Sequence, residues 1–183
     1  GEYLFGVDPF GWRIAIAILG IAAVVMTARI VRRLTRSDAL GTIAGLLLAL
    51  EGIHIVLSRT ALLDLILGFW ILAGFGLLLV DRDRTRQRLA DDVRRHGADR
   101  VAAGLGPFLG WRPWRIAAIV TFGLACGTKW SGIWFLAAFM AMSLFWDALA
   151  RRAIGVDHPW SAAFARDLPL AAASTLVIGI GVY

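Results

Sequence analysis

The run "ALLDLILGFWILAGFGLLLV", residues 61–80, carries a single charge, Asp64, close to its start. At 1.5 Å per residue, a helix of this length matches the roughly 30 Å hydrocarbon layer of a bilayer. Its borders are abrupt. "LSRT" (57–60) precedes it with Arg59, and "DRDRTRQRLADD" (81–92) follows it. Outward from this segment, the 183 residues are 59% hydrophobic with a mean hydropathy of +0.73, well above the roughly 45–50% apolar usage of soluble domains. The apolar residues fall in blocks, which implies an integral membrane protein. The expected architecture is all-α, a polytopic helix bundle in one transmembrane domain over 1–183. Its six or so spans are expected near 12–31, 39–57, 61–80, 114–129, 131–149 and 168–183. A polar loop over 81–113 should be solvated and hold a short surface helix that ends near Gly97. The chain opens on Gly1 without a signal peptide and stops inside an apolar run, so it reads as a piece of something longer.

Charge placement predicts the orientation. If the sides alternate along six spans, 16 of the 19 Lys and Arg residues fall on the side of the 81–113 loop, and the exceptions are Arg13, Arg59 and Lys129. Short loops rich in Lys and Arg stay cytoplasmic. The three exceptions therefore belong at the external face. The formal net charge of +6 describes topology and does not suggest a nucleic-acid partner, because Asp81, Asp83, Asp91, Asp92 and Asp99 interleave with the arginines and no aromatic stacking pattern accompanies them.

Arg13, beside Trp12 at the start of a span, reads as a snorkelling anchor. Arg59 and Lys129 stand at two separate helix junctions, and Lys129 is the one lysine of the chain. Each alone reads as an interfacial anchor. The two together, kept on the disfavoured face, suggest an anionic partner such as a lipid phosphate. Glu51, His54 and Ser58 share one helix face at i, i+3 and i+7, pointing to the same end. Asp64 lies about one turn into its span, and Arg59 is its expected partner across the turn. That pair either pins two helices together or belongs to the active site. His54 reads as a hydrogen-bonded packing residue, and His54, His96 and His158 have no metal spacing. The lone Cys126 excludes an internal disulfide. Gly41 with Gly45, and Gly123 with Gly127, have the spacing for close helix packing. The eight tryptophans mostly flank spans and fit an interfacial belt better than a sugar platform. Trp130 stands apart because it adjoins Lys129. Nucleotide-cradling glycine loops, a nucleophile elbow and a dinucleotide fingerprint are all missing.

"LEGIHIVLSRTALLDLILGFW" (50–70) resembles the segment of protein O-mannosyltransferases in which an external Ser-Arg precedes a Leu-Leu-Asp helix start. "GTKWSGIWF" (127–135) is similar to their later Lys-aromatic-x-Gly segment, and "GEYLFGVDPFGWR" (1–13) to the part after their Pro-Pro-leucine-glycine-lysine motif. The resemblance covers nearly the whole chain, and its arginine-rich loop is most like the actinobacterial members. It implies a glycosyltransferase of the multi-span, lipid-donor type at the cell membrane. Such an enzyme moves mannose from a polyprenyl-phosphate-mannose donor to Ser or Thr of an acceptor protein at the external face, with no metal or other cofactor established. In this reading Arg59 and Lys129 bind the donor phosphate. Asp64, Glu51, His54 and Ser58 support them, and Trp130 is a contact for sugar or lipid. The family's catalytic Asp-Glu pair would lie upstream of Gly1, which makes the chain a central fragment with no catalytic base of its own. Two rivals stay open: another lipid-phosphate-sugar transferase, and a non-enzymatic membrane scaffold or transporter subunit.

Overall fold

A computed structural model of the chain describes residues 9–60, 62–169, 172, 173 and 175. Every regular element among them is a helix. Helix α1 (Pro9–Thr35) and α2 (Asp38–Leu50) form a tight hairpin. Arg36, at φ 55°, turns the chain, and the Ser37 hydroxyl caps α2 by accepting from the Leu40 N–H at 3.3 Å. The hairpin closes backbone against backbone. A β-carbon on Gly41 would sit 2.7 Å from the Ala28 carbonyl oxygen, and one on Gly45 would sit 3.0 Å from the Ala28 Cβ. The small-residue spacing of this pair therefore serves close packing.

The expected span over 39–57 is broken. Helix α2 ends at Leu50 and α3 (Gly52–Thr60) starts at an angle of 59° to it. Glu51 causes the break. With an extended backbone (φ −70°, ψ 122°), its carboxylate accepts from the N–H groups of Ile53 at 3.0 Å and His54 at 2.6 Å. This is a side-chain cap that starts a new helix, and Gly52 next to it has little helix preference of its own.

Helix α4 (Leu63–His96) runs 34 residues without a break, about 51 Å at the standard rise. Here too the sequence expectation needs correcting: the surface helix ending near Gly97 is the polar half of the 61–80 span itself. Residues 81–96 contain no Gly or Pro and many good helix formers, so nothing stops the helix before Gly97, whose φ of 82° does. Short α5 (Ala98–Ala102), α6 (Pro113–Thr128), α7 (Gly132–Ala153) and α8 (Pro159–Ala162) follow, and α8 runs into a π-helical turn over Ala163–Asp167. The core lies where α4, α6 and α7 meet. Leu78, Ala118 and Phe122 are buried there, Phe122 stacks on Phe139 at 5.3 Å, and Gly74 makes room for the Phe122 ring, which a β-carbon at 74 would meet at 2.7 Å.

By length and composition α1, α4 and α7 can each cross a membrane, and the bent α2–α3 pair is a fourth candidate. Helix α6 covers the expected 114–129 span, but at 16 residues it is short for a crossing. The expected 168–183 span lies largely outside the described residues. The 81–113 segment is also less solvated than expected. Val101, Leu109 and Arg112 are buried, Arg88 donates to the Trp111 carbonyl at 2.9 Å, and Arg151 donates to those of Leu105 and Pro107 at 3.2 and 2.8 Å.

Candidate functional site

Two segments more than sixty residues apart in sequence meet at the N-terminal end of α4. Lys129 follows the last residue of α6 in an extended conformation (φ −153°, ψ 129°), with its own N–H bonded to the Ala125 carbonyl at 3.0 Å. The chain then reverses over Trp130 and Ser131, and the Gly132 N–H returns to the Lys129 carbonyl at 2.8 Å. Only glycine fits at 132, since a β-carbon there would lie 2.7 Å from the Cys126 backbone nitrogen. This reversal aims Lys129 at α4, where its Nζ lies 2.7 Å from Asp64 Oδ1. Asp64 is in the first turn of α4 and Lys129 just past the end of α6, so each charge sits at the helix terminus whose dipole favours it.

Asp64 is thus paired with Lys129. The expected partner, Arg59, is an exposed residue in the last turn of α3, and it makes no ion pair among the described residues. It is five residues from Asp64, hence within about 18 Å of chain reach. The side chains of Lys129 and Asp64 are 51% and 54% exposed. An ion pair this open contributes at most about 1 kcal/mol of stability. It also uses only one of the three N–H donors of the lysine.

The remaining residues on the Glu51 face build the support beneath this end. His54 Nε2 lies 3.2 Å from the Gly20 carbonyl oxygen of α1, and a β-carbon on Gly20 would stand 2.9 Å from the Ser58 Cβ. His54 and Ser58 therefore lock α3 onto α1. Glu51 has both carboxylate oxygens engaged with backbone N–H groups. Trp130 is 70% exposed beside Lys129. Among the described residues no group of three or more His, Cys, Asp or Glu side chains is placed to hold a metal ion.

A second charged cluster, which sequence reasoning missed, occupies the opposite end of the bundle. Arg112 donates to Asp147 at 2.7 and 3.0 Å and also to Asp81. Arg115 donates to Asp147 at 2.6 Å, and its Nε lies 3.4 Å from Asp81. All four residues are buried. Burial lowers the affinity of Arg112 for its proton, but Asp147 and Asp81 outweigh it and leave the guanidinium more basic than usual. Nearby, Arg151 grips Asp167 at 3.1 Å. Burial, reinforced by Asp147, holds the Asp167 carboxyl above its ordinary 3.8 despite that arginine. Asp147, alone among the charges within the apolar 131–149 run, was the available signal.

At the same end Asp83 accepts from Arg33 at 2.7 Å and from Arg82 at 3.1 Å. Burial raises its pKa, but these bonds prevail and hold it below 3.8. Arg82 and Arg84 lie over the rings of Trp146 and Trp114, at 5.0 and 4.8 Å from the centroids.

Comparison with known proteins gives the family. Residues 1–90 match the family model described as dolichyl-phosphate-mannose-protein mannosyltransferase. The polyprenol-phosphate-mannose–protein mannosyltransferase of Mycobacterium tuberculosis (strain CDC 1551 / Oshkosh) is 47% identical over 169 residues, 92% of this chain and 32% of the relative. The protein of the same name from Mycolicibacterium smegmatis (strain MKD8) is 45% identical over 184 residues, covering 100% of this chain and 35% of the relative. That from Corynebacterium glutamicum is 36% identical over 178 residues, 97% of this chain and 34% of the relative. No solved structure matches. The resemblance of the Ser-Arg…Leu-Leu-Asp and Lys-aromatic segments and the likeness to these relatives agree: the chain, which spans about a third of the length of the curated relatives it matches, belongs to the dolichyl-phosphate-mannose-protein mannosyltransferase family.

Proposed function

We propose that this chain forms the phosphate-handling part of an enzyme that transfers mannose from a polyprenyl-phosphate donor to a Ser or Thr hydroxyl of an acceptor protein, at the external face of the plasma membrane. The observation that carries the reading is the 2.7 Å contact between Lys129 and Asp64, which joins the two family-like segments at one end of the bundle. In the transfer the acceptor oxygen bonds to the anomeric carbon. The bond from that carbon to the phosphate oxygen breaks, and its electron pair leaves with the polyprenyl phosphate. Negative charge grows on the phosphate as it departs. Arg59, exposed and without an acidic partner among the described residues, offers a fork that grips two phosphate oxygens. Lys129 adds a point charge with two unspent donors, and Asp64 holds that ammonium in position. The acceptor proton needs a carboxylate. Glu51 is committed to capping α3 and Asp64 to Lys129, so the base is sought in the acidic pair that the family resemblance puts before Gly1.

In the full-length enzyme, Arg59→Ala and Lys129→Ala should each lower mannosyl transfer by about 30- to 1000-fold, the loss of roughly 2–4 kcal/mol seen when one preorganised donor to a transition-state charge is removed. Expression should stay near normal, and Arg59→Lys should restore activity only in part, having lost the bidentate grip. Near-wild-type turnover of both alanine variants at saturating and at limiting donor would reduce the two cations to membrane anchors.

A further inference from the structure

A groove of about 470 Å³ opens between the last turn of α1 and the first polar turns of α4, at the end of the bundle opposite Lys129. Arg33 and Arg36 line it from the α1 side and Arg82 and Arg86 from the α4 side, with Asp83 the one carboxylate in the lining. Four arginines against one aspartate leave a formal charge of +3. Asp83 is shared between Arg33 and Arg82, and Arg82 is further held over the Trp146 ring. The side chains of Arg36 and Arg86 are exposed and form no hydrogen bond or ion pair among the described residues. Arg36 also keeps a left-handed backbone, φ 55°, which glycine or asparagine would adopt with less strain.

The level of the groove matters as much as its charge. The apolar run of α1 ends at Val31 and that of α4 at Val80, so Arg33 and Arg82 stand in the first turn above the apolar surface and Arg36 and Arg86 within the next, where long side chains reach headgroup phosphates. Leu34, 45% exposed, also lines the groove. The negative end of the α1 dipole opposes an anion here, but its half charge is small beside +3. Basic pockets between membrane helices are suited to acidic headgroups.

We propose that this groove binds the phosphate of an acidic phospholipid in the adjoining leaflet, with the guanidiniums of Arg36 and Arg86 as its donors. Arg33 and Arg82, tied to Asp83, form the walls. The site is separate from the Arg59–Lys129 end and does not depend on the transfer reaction assigned there.

The test is native mass spectrometry of the full-length protein, purified in mild detergent and incubated with phosphatidylglycerol or phosphatidylcholine. Wild type should retain one phosphatidylglycerol per chain and no phosphatidylcholine. Arg36→Gln with Arg86→Gln should weaken that retention roughly 30-fold, as the loss of two surface cations near an anionic lipid would. Arg94→Gln with Arg95→Gln, the same charge loss on α4 outside the groove, should leave it unchanged, and Asp83→Asn should raise it. Should the double groove variant fail to insert, Arg86→Gln alone is read in the same way with a smaller loss. Equal loss in the two double variants would reduce the effect to bulk charge and overturn the site. Equal retention of phosphatidylcholine would do the same, and displacement of the lipid by millimolar inorganic phosphate would make the groove a soluble-anion site instead.

Discussion

Helix α4 carries an aspartate near each end of its apolar half, and the two occupy opposite electrostatic settings. Asp81 is 4% exposed and faces two arginines, which in turn share Asp147, so the cluster is neutral, closed and buried. Asp64 has a side chain that is 54% exposed and meets one lysine. Both settings look like ion pairs, and the difference lies in what is left over. In the buried cluster the charges are matched, although the Arg115 Nε, 3.4 Å from Asp81, forms no hydrogen bond. At the open pair the carboxylate meets Lys129 alone, and Arg59, five residues along the chain, makes no ion pair among the described residues, so its charge is unmatched. The capacity to bind an anion follows the unmatched charge: the Arg112–Arg115 cluster offers none, whereas Arg36 and Arg86 elsewhere at the same end keep theirs.

The sharpest way to break this comparison is at the buried cluster. Asp147→Ala leaves Arg112 and Arg115 short of a partner in a dry environment, and removing one member of a buried pair costs about 3–5 kcal/mol. The full-length variant should be recovered in much lower yield and should unfold at markedly lower temperature in detergent. Yield and melting midpoint equal to wild type would mean the cluster is hydrated.

Asp64→Asn tests the open pair by contrast. An exposed pair holds at most about 1 kcal/mol of stability, so the melting midpoint should move by only a degree or two. Transfer should still fall, by roughly tenfold, because a freed Lys129 loses the geometry on which its electrostatic contribution depends. A large stability loss with activity per folded molecule intact would reverse the assignment and make the pair a helix clamp.

Asp83 lies between the two extremes, and its effect is smaller. Its folded pKa is depressed, so its contribution is fully present above the unfolded value near 3.8 and is lost as the pH falls through the lower folded value. The gap in melting midpoint between wild type and Asp83→Asn should therefore be constant at neutral pH and close in the range below about 3.8. A gap that persists unchanged at lower pH would show that Arg33 and Arg82 do not act through the carboxylate charge.

The mildest probe alters no interaction. With Cys126 replaced, a cysteine at Thr60 should be labelled from outside sealed cells and one at Ala98 should not, as the positive-inside rule requires. Labelling of position 98 alone would invert the bundle and move both ends of the comparison to the opposite leaflets.

Much of this was readable without coordinates, and the legible parts share a cause. Apolar runs, arginine asymmetry and the odd positions of Arg59 and Lys129 are properties of composition along the chain. The bilayer acts on each segment separately, so each segment records its own solvent. The break at Glu51 was also local, a carboxylate followed by glycine and two free N–H groups, although its effect on the 39–57 run went unread. The same is true of the run from 81 to 96, which lacks any helix breaker before Gly97.

Partnership was decided elsewhere. Asp64 stands five residues from Arg59 and far along the chain from Lys129, so sequence proximity favoured the arginine. The reversal at Gly132 and the packing of α4 on α6 brought the lysine instead. Asp147 met Arg112 and Arg115 only because α6 and α7 pack side by side at the far end. An ion pair forms where three-dimensional packing puts two charges within 4 Å, and chain separation does not enter that distance. Which residues are charged, and at which end of an apolar run each stands, was set by the sequence alone. Which of those charges cancel, and which stay available to a phosphate, was settled by how the helices pack.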